Sequence, residues 1–380
     1  MNILNLSLRY YPASGGAEDL NKSVTEKLSK RGYNFSVFST RLKDHIANLN
    51  FIPSAADHEY DDKNNIRRFK TIKIPKTVYH IIPGFLTAGM SLKNIDLIHS
   101  WTMMYFPAIS GLLLKLLKNK PLILNPIVDE NNLIHRKLYS DTFGKLTVSR
   151  ADCISVLTRY SIEVLNKYGF KFKNYEIIPA GVDISEFNES LEKSGFINNN
   201  KFNLLFAGRL ARGKGIDVLL KSMKILDSEK IQIHLNIAGP DFGDFQRLKK
   251  MSEELGLIDN ITFCGKLDRI ELVKLFKSSN AFILPSRYEA FGIVLIEAMA
   301  AGIPVIGSNI SAIPFVIDNE KTGLLFEPDN SQELADKIKL LINRPDIVST
   351  LVDNAAAKVE REYNWEKVIS KYSMLYEKFR

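Results

Sequence analysis

The chain has 380 residues, 45% hydrophobic and 25% charged, with a formal net charge of +8. That length suggests two or three domains, and the composition is that of an ordinary globular protein with ample core. Only two cysteines occur, Cys153 and Cys264, which excludes a disulfide framework or a cysteine zinc site and favours a reducing compartment. The charge is uneven: residues 1–200 carry +7 and the remainder +1. Such asymmetry points to a negatively charged surface as partner, nucleic acid or membrane, with solubility alone as the plain alternative.

In chain order, the opening "MNILNLSLRYYPASGG" has no basic stretch ahead of its apolar run, so it reads as a strand and not a signal peptide. A helical pattern follows over Ala17–Lys30. "NFSVFST", "IDLIHSW", "PLILNPI" and "CISVLT" are strand candidates, with "FPAISGLLLKLLKN" and "DTFGKLTVSRA" helical between them. The greasiest segment, "MMYFPAISGLLLKLL", holds Pro107 and Lys115 and is shorter than the ~20 residues a membrane span needs. "EIIPAGVDISEFNESLEKSGFINNNK" is polar and reads as a linker. The alternation resumes with strands "FNLLFAGRL", "IQIHLNIAG", "NITFCG", "AFILPS" and "IPVIGS" and intervening helices such as "GIDVLLKSMKIL" and "IELVKLFKSS". Strands and helices of these lengths predict parallel βαβ units. The expected organisation is therefore two α/β domains built on parallel sheets, residues 1–190 and 201–360. An amphipathic C-terminal helix, 361–380, is expected to pack back on the first domain.

The stretch "SRYEAFGIVLIEAMAAGIPVI" places Glu289 and Glu297 eight residues apart around an apolar run. The pattern predicts a loop, "PSRYEAFG", then a helix beginning near Phe291 and ending at Gly302. Glu289 would sit just outside it and Glu297 nearly two turns inside. The unsatisfied N–H groups of a helix start suit a phosphate. Acids flanking that point would accept hydrogen bonds from hydroxyls on either side of it, a sugar and a ribose. "FAGRLARGKGID" supplies the cations, Arg209 and Lys214, with Gly208, Gly213 and Gly215 allowing close approach. A second glycine loop, "YYPASGGAED", offers the backbone of Gly15 and Gly16 to the same anion.

The combination of "SGGAE", "GRLARGKG" and "EAFGIVLIE" closely resembles retaining glycosyltransferases of the family 4 (group 1) type. The resemblance covers the whole chain, including "AGVD" and the helix that holds Trp365. It implies the GT-B architecture, two Rossmann-like domains facing a cleft, with the second domain binding a nucleoside-diphosphate sugar as substrate and no cofactor. It places Arg209 and Lys214 on the diphosphate, Glu297 on the ribose and Glu289 on the donor sugar. Arg209, Lys214 and Glu289 are thus the implied catalytic set. The implied donor-binding set is Gly15, Gly16, Lys266, Leu267, Phe291, Gly292, Ile293, Val294, Leu295 and Glu297, with Lys266 and Leu267 near the base. No Asp-x-Asp occurs, so nothing points to a catalytic metal.

On the acceptor side the chain departs from the family: Ile127 and Trp101 stand where histidines are usual, and Ala180 where an asparagine is. His99 and Asp129 are the remaining acceptor-side candidates, with His135 as a further substitute. The expected partners are a nucleotide-sugar donor, a lipid-linked or glycan acceptor and an anionic membrane surface, with no nucleic acid. The expected location is cytoplasmic, peripheral on the inner membrane face. Lys115, Lys118 and Lys120 close one helix, and Arg67, Arg68, Lys70, Lys73 and Lys76 form a second basic run. Three other readings compete. A nicotinamide-dependent enzyme lacks its G-x-G-x-x-G. A glycoside hydrolase using Glu289 and Glu297 leaves Arg209 and Lys214 idle. A non-catalytic sugar-nucleotide-binding subunit is the third.

Overall fold

The computed structural model describes residues 1–13, 15–42, 58–61, 64–74, 79–103, 105–128, 130, 140–189 and 192–380, with backbone alone at 58–61 and 140. It divides into two units, Met1–Ala180 with Val368–Arg380, and Gly181–Lys367. The chain passes from one to the other inside the polar stretch that reads as a linker, and returns within the C-terminal helix Trp365–Glu377.

The first unit holds strands β1 (Asn2–Leu6), β2 (Asn34–Thr40), β3 (His58–Asp61), β4 (Asn64–Phe69), the short β5 (Ile72–Lys73) and β6 (His80–Ile81), then β7 (Leu97–Ser100), β8 (Leu122–Leu124), β9 (Cys153–Val156) and β10 (Tyr175–Ile177). Eight of them form one sheet in the order β10-β9-β8-β7-β1-β2-β4-β3, parallel except for β3. β10 belongs to the segment read as linker, where its pairing with β9 outweighs local polarity. The second unit holds β11 (Phe202–Ala207), β12 (Ile233–Ala238), β13 (Ile261–Gly265), β14 (Ala281–Leu284), β15 (Val305–Ser308) and β16 (Leu324–Phe326), all parallel, in the order β13-β12-β11-β14-β15-β16. Every residue of β12, β14 and β15 is buried, as a parallel sheet covered on both faces requires. Each sheet therefore reverses its winding at one point, between β1 and β7 in the first unit and between β11 and β14 in the second. Ligands of doubly wound sheets collect at the carboxyl ends of the strands flanking such a point.

Polar residues tie helices to the first sheet. Asn5 on β1 donates to Asn21 (2.6 Å) and Thr25 (3.0 Å) of the helix Gly16–Lys30. The tail residues Tyr372 and Tyr376 are fully buried. Tyr376 meets His99 Nδ1 at 2.7 Å, and Asn125 donates to Tyr372 at 3.2 Å. His99 is thus a core side chain and not an exposed acceptor contact. It has no solvent exposure, stacks on Trp101 with ring centroids 4.7 Å apart, and burial pushes its pKa down to about 3. Asp129 and His135 lie outside the described residues.

The two basic runs are partly structural. Arg68 on β4 is buried and donates to the Tyr11 carbonyl at 2.7 Å, and Arg67 lies over the Phe38 and Phe69 rings. Lys115 is ion-paired with Asp152, and Lys118 donates to the Leu92 carbonyl. Lys76 lies outside the described residues.

The second unit is clasped where it begins and ends. Val182 N–H donates to the Tyr363 carbonyl at 2.8 Å, and Gly181 lies so close to Trp365 that a Cβ there would be 2.5 Å from the indole. Gly181→Ala should therefore destabilise this unit by about 1–3 kcal/mol, read from denaturant unfolding. An unchanged midpoint would show that the indole moves aside.

His99 gives a pH prediction. Its folded pKa lies below its unfolded value of about 6.5, so the unfolded chain binds the extra proton. Stability should fall as pH drops from about 6.5 toward 3, by up to about 1.4 kcal/mol per pH unit from this group. Unfolding curves of His99→Asn should lose that share of the slope.

Candidate active site

The second unit gathers its candidate residues on the segments leaving β11, β13 and β14. Gly208 N–H donates to the Ala238 carbonyl (2.9 Å) and Gly239 N–H to the Gly265 carbonyl (2.7 Å). A Cβ on Gly239 would stand 1.8 Å from the Gly208 carbonyl oxygen. The loops carrying Arg209 and Lys266 are thereby held on either side of the loop after β12. Arg209 is exposed, with its guanidinium 5.0 Å from the Phe242 ring centroid; Lys266 is exposed and Leu267 half-buried.

Across the switch point the approach is tighter. Gly215 has φ 64°, and a Cβ there would lie 1.9 Å from the Pro285 carbonyl oxygen. Arg287 N–H donates to the Gly213 carbonyl at 2.8 Å. The Arg287 side chain forks onto Asp217 (3.0 and 2.9 Å), reaches Asp329 (2.8 Å) and donates to the Arg212 carbonyl (2.6 Å). Burial opposes the charge on Asp217, but the Arg287 fork and Arg247 outweigh it and hold the carboxyl below its usual range. This buttress brings together two residues 75 positions apart in sequence: Lys214 is ion-paired with Glu289, and both are largely buried. Ser286 also donates to Glu289, at 3.0 Å.

The helix after this loop is Ile293–Ala300, capped by Gly292 at φ 87°. It begins two residues later than Phe291, since Gly292 takes the left-handed conformation that favours glycine and ends helical geometry. Glu297 consequently lies little more than one turn inside. Leu295 N–H closes a turn onto the Gly292 carbonyl at 2.9 Å, and Ile293 and Val294 supply the open amides of the helix start. The Phe291 and Leu295 side chains are buried, Phe291 edge-on to Tyr363 at 5.8 Å, so these two offer a ligand their backbone only. Glu297 accepts from Arg269 at 2.5 Å.

Arg209, Lys214, Glu289, Glu297, Lys266 and the 292–294 backbone thus all belong to the carboxyl edge of one sheet. Gly15 and Gly16 lie in the first unit, where Gly15 is extended and Gly16 opens the helix Gly16–Lys30. Beside them Glu18 is buried and ion-paired with Arg9 at 2.7 Å. Sequence reading missed Arg287, Asp217 and Arg269. An arginine inside the "SRYEAFG" loop was the available signal for the first, but its acidic partner lies 70 residues away.

Two family models tile the chain: Glycosyltransferase Family 4 over residues 14–186 and Glycosyl transferases group 1 over residues 187–358. The chain belongs to this glycosyltransferase family. An uncharacterised glycosyltransferase of Methanocaldococcus jannaschii is 29% identical over 63% of this chain, a match spanning 62% of that relative's length. Among solved structures, sucrose-phosphate synthase from Thermosynechococcus elongatus superposes with a TM-score of 0.84 at 23% identity, covering 99% of this chain and 98% of the other. The Anabaena protein HepE in complex with UDP-glucose gives 0.78 at 18%, covering both chains fully. The family 4 chain accordingly has the GT-B fold.

A paired substitution tests the buttress. Gly215 and Gly265 have nearly equal φ, 64° and 66°, but only Gly215 faces the Pro285 carbonyl, while open space surrounds Gly265. Gly265→Ala should cost about 1–2 kcal/mol, the left-handed penalty alone, and Gly215→Ala distinctly more. Equal losses in denaturant unfolding would deny the close approach its importance.

Proposed function

We propose that the protein is a retaining glycosyltransferase that moves a sugar from a nucleoside-diphosphate sugar to a hydroxyl acceptor in glycan or glycolipid synthesis, without a catalytic metal. The observation that carries this reading is the arrangement at the β11/β14 switch point: two cations on a glycine loop, a helix start opposite, and a carboxylate on each side of that start. Cleaving the bond between sugar and diphosphate builds negative charge on the leaving phosphate. Arg209, Lys214 and the amides of Ile293 and Val294 are the groups that would stabilise it. Donor binding exchanges partners: the diphosphate takes Lys214, and Glu289 turns to the sugar hydroxyls. Glu297 accepts from the ribose. Front-face attack, with the departing phosphate taking the acceptor proton, needs no enzymic nucleophile.

Turnover with a panel of UDP, GDP and ADP sugars tests this reading against a non-catalytic binding subunit. Arg209→Ala and Lys214→Ala should each lower turnover by on the order of a hundredfold or more. Near-wild-type turnover in either variant removes that residue from the diphosphate. Glu297→Ala should weaken donor binding by roughly 1.5–3 kcal/mol, and unchanged affinity by calorimetry would remove the ribose assignment.

The acceptor is proposed to be lipid-linked and reached at an anionic membrane surface. Among the described residues no helix is long and apolar enough to cross a membrane. The neighbouring helices Pro83–Ser91, Phe106–Lys118 and Lys145–Arg150 instead expose Met90, Leu113, Leu116, Leu117 and Leu146. Lys93, Lys120 and Arg150 stand at or just after the ends of these helices in sequence, none of them buried. Each cation held at an anionic surface contributes about 1 kcal/mol, and the leucines supply the apolar contact that Lys115 and Lys118, committed within the unit, do not. Co-sedimentation with anionic but not neutral vesicles is expected, weakened by high salt and by Leu116→Asp with Leu117→Asp. Absence of binding to anionic vesicles at low salt would leave a soluble acceptor.

A further inference from the structure

Arg269 is the first residue of the helix Arg269–Ser278, directly after the loop from Gly265 to Asp268. One edge of its guanidinium meets Glu297: Nη1 donates to Oε1 at 2.5 Å. The other edge is fixed by Glu186, whose Oε2 accepts from Nε at 2.8 Å and from Nη2 at 2.5 Å. The guanidinium also lies 5.5 Å from the centroid of the Phe187 ring, and Phe187 is itself buried. Glu186 and Phe187 stand together on the short helix Ser185–Asn188. Two carboxylates and one guanidinium leave the group with a net charge of −1.

A glutamate has three rotatable bonds, and as a ribose acceptor it is useful only in one orientation. A planar fork clamped on its far edge fixes the near edge, which a lysine's point charge cannot do. Resting on the assignment of Glu297 to the donor ribose, we propose that Arg269 is the positioning residue for that carboxylate and that Glu186 sets Arg269 in turn. The ribose selectivity of the site is thereby linked to the element at the start of the second unit. The plain alternative is a half-exposed surface ion pair, and such pairs contribute little to stability and nothing to ligand choice.

The two roles separate in a readout that stability alone does not move. Calorimetry would compare UDP, GDP or ADP, whichever the protein binds tightest, with its 2′,3′-dideoxy counterpart, on the wild type, Arg269→Ala, Arg269→Lys, Glu186→Gln and Glu297→Gln. Melting temperatures would establish that each variant is folded. The wild type should prefer the ribonucleotide by tenfold or more. Arg269→Ala should lose most of that preference, through weaker ribonucleotide binding and an almost unchanged dideoxynucleotide affinity, and Arg269→Lys should restore little of it. Glu186→Gln should fall between. Preference intact in Arg269→Ala but lost in Glu297→Gln would overturn the positioning role and keep the ribose assignment. Preference intact in Glu297→Gln as well would overturn the ribose assignment, and the role of Arg269 with it.

Discussion

The backbone of Gly215 rests against the carbonyl of Pro285, at a distance that leaves no room for a side chain. The two loops flanking the switch point of the second sheet meet there, and the rest of the site follows from that contact. It aligns the loop after β11 with the loop after β14, so that Lys214 and Glu289 become neighbours. The Arg287 fork on Asp217 and its bond to the Arg212 carbonyl hold the same two loops from the solvent side. Backbone contact sets the spacing, and the ion pairs resist shear along it.

Electrostatically, the candidate groups of this unit are provisionally satisfied by one another. Lys214 neutralises Glu289, and Glu297 shares the Arg269 guanidinium with Glu186. Both pairs are partly shielded from water, so their charges are neither costly orphans nor fully solvated. Under the proposed function a diphosphate would offer Lys214 a stronger partner than one carboxylate does, and its arrival would leave Glu289 ready for a hydroxyl. Arg209 differs in being exposed over Phe242, where it can meet an arriving anion without first breaking a buried pair.

Much of this was legible in the sequence, because the signals were local. Alternating strands and helices gave away both parallel sheets, and "GRLARGKG" with "EAFGIVLIE" marked the loops that the structure places at the switch point. Contacts distant in sequence were not legible. Asp217 and Arg287 are 70 residues apart, Glu186 and Arg269 are 83, and nothing in either local pattern announces its partner. His99 shows the same limit from the other side: a histidine at a strand end reads as a cleft residue until a tyrosine from the far end of the chain covers it. Arg68 reads as part of a basic surface run, but the two-residue period of β4 turns it inward while Arg67 packs on phenylalanine rings.

The central claim is that the glycine loop after β11 recognises a diphosphate. Calorimetric titration with a nucleoside diphosphate and with the corresponding free nucleoside tests it most directly, on the wild type and on the doubly substituted Arg209→Ala, Lys214→Ala protein. The diphosphate should bind the wild type at least a hundredfold more tightly than the nucleoside, and the double substitution should remove most of that ratio, leaving only the share held by the Ile293 and Val294 amides, with nucleoside affinity unchanged. A ratio that survives the double substitution would place the phosphates elsewhere and contradict the account.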